Sequence, residues 1–179
     1  MRSPQGTRGL AAFIVMLTAA AASALGQGPS TSSHTLVYAV YDGQNRASEV
    51  FKSMTAAQGQ TGERILSYAV VSRDSGGKVH VSDQRKTDAG VGAAVGAVVG
   101  LVGGPVGAAA GAAAGGSVGY LTGDAVGIPK AAVDSMKQSL TPNSSALVVV
   151  LQDQWVNDVE RDMKQAQARQ VIANQIATK

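Results

Sequence analysis

The chain has 179 residues, 45% hydrophobic but only 4% aromatic, and carries a formal net charge of +3. Its 15 Lys and Arg are scattered rather than gathered into a stripe, which argues against a nucleic-acid partner. It has no cysteine, which excludes disulfides, thiolate metal sites, cysteine nucleophiles and a lipid-modified N-terminal cysteine.

Arg2 and Arg8 form a basic region ahead of an apolar run from Leu10 to Ala22, and Ala22-Ser23-Ala24 supplies an A-x-A cleavage site. The run is shorter than the ~20 residues a membrane span prefers. Residues 1–24 therefore read as a removable signal peptide rather than a retained anchor, and 25–34 as a polar linker. The expected location is outside the cytoplasm, at the cell membrane or envelope on the periplasmic side.

Thr35 to Asp42, "TLVYAVYD", alternates and is rich in Val and Tyr, so it reads as a strand. Asn45 can then cap a helix in which Ala47, Val50, Phe51 and Met54 share one face. Ile65 to Arg73 reads as a second strand, "DSGG" as a turn, and Lys78 to Arg85 as a third strand hairpinned to the second. Beyond a glycine-rich block, Pro129 suits the first turn of a helix with Ala132, Val133, Met136 and Leu140 at helical spacing. "TPNSS" breaks that helix, and Ala146 to Asp153 forms a fourth strand whose unbroken apolar run predicts a buried central position. The tail from Val156 to about Ala177 reads as a polar helix with Val159, Met163, Val171, Ile172 and Ile176 as a sparse stripe.

With the glycine block set aside, the order is strand-helix-strand-strand-helix-strand. That is the order of the ferredoxin-like fold, in which two helices cover one face of a four-stranded antiparallel sheet. The expected class is α+β. A ferredoxin-like domain over 35–153 would be interrupted by a hairpin at 88–124 and followed by a C-terminal polar helix at 154–179.

The block itself carries the strongest signal. Gly92, Gly96, Gly100 and Gly104 fall four apart, Gly104-Pro105 breaks the run, and Gly107, Gly111, Gly115, Gly119 and Gly123 resume the same step. Residues four apart lie on one helix face, so each half presents a groove without side chains that a second backbone can approach closely. A flexible linker lacks such phase, and no phosphate-loop spacing is present. The pattern predicts a helical hairpin turning at Pro105. No charge occurs between Asp88 and Asp124, yet the second arm is mostly Gly and Ala, which contribute little to insertion. Insertion would require paired arms, with Val95, Val98, Val99, Leu101, Val102 and Leu121 facing lipid.

No constellation of residues points to chemistry. His34 and His80 are the only histidines, without acidic companions at ligand spacing, so neither a metal nor a cofactor is expected. Asp42, near Arg46 and Glu49, suits a turn better than catalysis. Asn143-Ser144-Ser145 matches a glycosylation acceptor but reads as a turn. Trp155 reads equally as a membrane-interface anchor or a cover for the sheet core. The polar charges of the tail, such as Glu160, Arg161, Asp162 and Lys164, read as a solvated helix face.

Three passages carry a family resemblance: "VYDGQNRASEVFKSM", the stretch from Ala69 to Gly115, and "MKQSLTPNSSALVVVLQD". In that order, over roughly Leu36 to Asp153, the chain resembles the bacterial predicted membrane proteins grouped as domain of unknown function 1269. The resemblance implies an interrupted ferredoxin-like fold with a glycine-zipper hairpin and no enzymatic activity. The export signal and the small residues of the second arm depart from the family pattern. The expectation is a non-enzymatic, membrane-associated envelope protein whose hairpin mediates helix packing, insertion or oligomerisation, with membrane lipid and further copies of itself as partners and no small-molecule substrate. The alternative is a soluble periplasmic binding or assembly module whose hairpin packs on its own sheet or a partner subunit.

Overall fold

A computed structural model describes residues 33–57, 64–85, 89–115 and 127–176. The signal peptide and all but the end of the linker lie outside the described residues. In chain order the elements are β1 (His34–Asp42), α1 (Arg46–Ala57), β2 (Ile65–Arg73), β3 (Val79–Arg85), α2 (Ala89–Gly115), α3 (Lys130–Ser139), β4 (Ser144–Gln152), a single 3-10 turn (Asp153–Trp155), α4 (Val156–Gln165) and β5 (Gln170–Ile176).

The five strands form one sheet in the order β3-β2-β4-β1-β5, antiparallel at every pairing. Its centre follows from sequence. Leu147, Val149 and Leu151 of β4 pack on one face while Ala146, Val148 and Val150 pack on the other, and all six are fully buried. Such β-branched, unbroken apolar runs suit a strand covered on both sides. Fully burying a Val or Leu side chain contributes about 1.5–3 kcal/mol, so this strand and its neighbour β1 anchor the domain.

α1 and α4 cover the face carrying Val37, Ala39 and Tyr41, where Val50, Met54, Val159 and Met163 close the layer. α2 and α3 cover the face carrying Leu36, Tyr38 and Val40. The domain is thus an α+β, ferredoxin-like arrangement with helices on both faces of its sheet.

The assignment of the repeat unit differs from the sequence expectation. β1 and β2 flank β4, and β4 and β5 flank β1. The two split strand-helix-strand units of the ferredoxin-like fold are therefore β1-α1-β2 and β4-α4-β5. β3, α2 and α3 are inserted between them, with β3 added at the edge beside β2. The fold's second helix is α4, not the helix after Pro129, and its fourth strand is β5.

The expected C-terminal polar helix over 154–179 is accordingly corrected: the helix ends at Gln165 and a strand follows at Gln170–Ile176. Gln167 adopts φ 66, and its N–H donates to the Lys164 carbonyl while that of Ala168 donates to Met163. These are the two bonds of a Schellman cap, a position usually filled by glycine. The chain then turns back beside β1, pairing Val37 with Ala173.

Candidate helix-packing surface

The glycine block occupies α2. Its backbone is helical from Ala89 to Gly115 except at Gly104, with φ 62 and ψ −146. That region of backbone space is essentially reserved for glycine, and Pro105 then opens the second segment in the position where proline is tolerated. The break therefore lies where Gly104-Pro105 predicts it. The remainder of the expected hairpin, 116–126, lies outside the described residues, and with it Gly119, Gly123 and Leu121.

The first segment places a stripe of Val91, Ala94, Val95, Val98 and Val99 into the buried cluster with Leu36, Tyr38, Val148 and Val150. Leu101 and Val102 pack against the same cluster, half-buried. This corrects the expectation that these residues face lipid. The sheet face beneath them is fully apolar, so the stripe has a protein partner at hand.

The glycine row runs beside that stripe. Gly92 and Gly96 are buried, Gly100 is half-buried and Gly104 is exposed. Gly103, off the row, shows how close the backbone comes: a Cβ built on it would lie 3.3 Å from Cγ1 of Val79 on β3. Gly107, Gly111 and Gly115 continue the four-residue step in the second segment. Among the described residues no helix is long and apolar enough to cross a membrane.

Around the segment, polar contacts tie the insertion to the sheet. The Tyr38 hydroxyl, fully buried, donates to the Met136 carbonyl at 3.0 Å, and Ser139 Oγ donates to the Tyr38 oxygen at 3.5 Å. Burial pushes the Tyr38 phenol up to about 12, a rise that the Ser139 bond and the Arg169 charge only partly oppose. Arg73 donates to the carbonyls of Gly77 at 3.0 Å and Leu140 at 3.1 Å.

The remaining sequence candidates resolve into structural contacts. Asp42 accepts from Arg169 at 2.7 Å, and the same guanidinium donates to the Ser139 carbonyl. His80 hydrogen-bonds Asp74 at 3.1 Å. Asp74 also accepts from the Lys78 N–H at 2.8 Å, and these bonds hold its carboxyl below the usual range. His80 lines, with Ser72 and Ser82, an open, polar groove of about 600 Å³ that is also lined by Asn45 and by Ser48 and Lys52 of α1. Its bond goes to Asp74 and not to either serine, so no base–nucleophile pair is formed. Trp155 is half-buried against the α1–α4 layer with the Arg64 guanidinium 3.9 Å from its ring centroid. Among the described residues no three of His, Asp and Glu gather where they could hold a metal ion.

A family model described as "Protein of unknown function (DUF1269)" matches residues 89–179, from the start of α2 to the end of the chain. The match takes in α2 and α3 of the insertion, β4, α4 and β5, and leaves out β3 and the first resembling passage at Val40–Met54. No curated protein and no solved structure matches the chain. With just over half of its length matched, the chain belongs to the DUF1269 family, whose function is unknown.

Proposed function

We propose that the chain is a non-enzymatic module of the bacterial envelope that works by helix packing, its first glycine segment built into its own domain and the glycine row from Gly100 onward offered to a partner helix. One observation carries this reading: Val91, Val95, Val98 and Val99 are taken up by the chain's own sheet. A helix whose apolar stripe is already engaged gains little by entering hydrocarbon. It still keeps, at Gly100 and Gly104, a side-chain-free surface of the kind that close helix association uses. This favours an exported assembly module over an inserted hairpin, with membrane contact made by association and not by a span. Gly100 and Gly104 bring the row to the surface just where the second segment begins.

Carbonate extraction of membranes from expressing cells tests the reading. The full chain is expected in the washed-off fraction, and retention in the pellet would overturn it. Gly100→Leu and Gly111→Leu are expected to weaken helix association while leaving the domain folded.

A further inference from the structure

We propose that β5 is a homodimerisation edge, pairing antiparallel with β5 of a second copy to join two five-stranded sheets into one. Among the described residues β5 pairs with β1 alone, and β3 is the opposite edge. Unpaired edges invite strand addition, and natural proteins blunt them with charges, bulges or prolines.

The two edges are treated differently. β3 carries His80, Asp83 and Arg85 and follows Lys78, and its pairing with β2 contains a register shift at Ala69/Val70. β5 reads "QVIANQI": it has no ionisable residue, proline or glycine. Its register with β1 is regular over all seven residues. Among the described residues, one edge is protected twice and the other by neither device.

The occupant that fits is a second copy. A strand that meets itself across a two-fold axis opposes the residue on the axis with its own copy, so a charge there meets the same sign. An uncharged strand avoids that penalty in every register. Centring the axis on Ala173 uses the full strand. Ile172 then faces Asn174 and Val171 faces Gln175, with Ala173, exposed in the single chain, on the axis. Beside this edge, four of the five charged residues of α4 pair within the helix, as Asp158–Arg161 and Glu160–Lys164.

The absence of cysteine makes the test clean. Directly opposed residues of an antiparallel pair have Cα atoms about 4.5–5.5 Å apart, inside the about 4.4–6.8 Å that a disulfide spans. In the full chain, Ala173→Cys is expected to form an interchain disulfide on mild oxidation, and Lys137→Cys on the exposed side of α3 is not. Sedimentation should give twice the chain mass for the parent. Ala173→Lys and Ala173→Glu should each give the single mass with an unchanged circular dichroism spectrum, and their mixture should recover the dimer. A parent of single mass throughout the micromolar range would overturn the proposal. So would an Ala173→Cys chain that stays unlinked. Gly100→Leu added to Ala173→Cys should retain the β5 cross-link, which separates this interface from the glycine surface.

Discussion

Truncating Val98 to alanine tests whether the first glycine segment belongs to the domain core. Val98 is 1% exposed and sits in the cluster formed by α2, α3 and the sheet. The change removes two carbons, which at about 0.8 kcal/mol per buried methylene costs about 1.6 kcal/mol in transfer. An unfilled cavity adds on the order of 1 kcal/mol, and the better helix propensity of alanine returns about 0.5 kcal/mol. The net loss is about 2 kcal/mol, or roughly 4–8 °C in Tm for a domain of this size. Thermal denaturation followed by circular dichroism reads it directly. Lys137→Ala, on the exposed side of α3, should stay within about 0.5 kcal/mol of the parent. If Val98→Ala melted with the parent, the valine stripe would not be packed on the sheet, and the reasoning that removes it from lipid would fail.

Gly104→Ala should destabilise by about 1–3 kcal/mol through its backbone, since φ 62 with ψ −146 suits only glycine, although no atom lies within 4 Å of the added Cβ. Gly103→Ala tests the other limit: its Cβ would meet Val79 at 3.3 Å, so a shift in chemical denaturation midpoint reports how far Val79 can yield. Tyr38→Phe should cost about 1–1.5 kcal/mol through the lost bond to Met136. Its phenol is raised above the unfolded value of 10, so its contribution is complete below about pH 10 and is lost as pH rises through about 12. Burial raises the Tyr41 phenol as well, so phenolate absorbance should show two late-titrating tyrosines in the parent and one fewer in Tyr38→Phe.

β1, α1, β2, β3, α3 and β4 are legible in the sequence because each pairs an apolar period with a turn or cap of ordinary chemistry. The Ile65–Arg73 strand and the Gly104 break fall at the expected residues. β5 is not legible for a specific reason: the α4 cap uses Gln167 in the left-handed region, so neither glycine nor proline marks the helix end. Val171, Ile172 and Ile176 then satisfy a helical spacing as well as a strand. The same ambiguity conceals the role of α4, since sheet order depends on pairings that no local pattern records. At the glycine surface the phase is plain in sequence, but what receives the valines is not. An apolar stripe of this kind is written identically for a sheet and for lipid.

The insertion between β2 and β4 also shapes how the chain must fold. β1, the inner strand, finds its principal partner only when β4 is made: Thr35 bonds Asp153, 118 positions later. Contacts so distant in sequence slow folding, because loop closure must precede the packing that rewards it. Until then Leu36 to Tyr41, apolar on both faces, has no sheet to enter. A nascent or translocating chain of this architecture is thus exposed to aggregation for most of its synthesis. Holding factors that bind extended apolar segments should matter more to its yield than the stability of the finished domain.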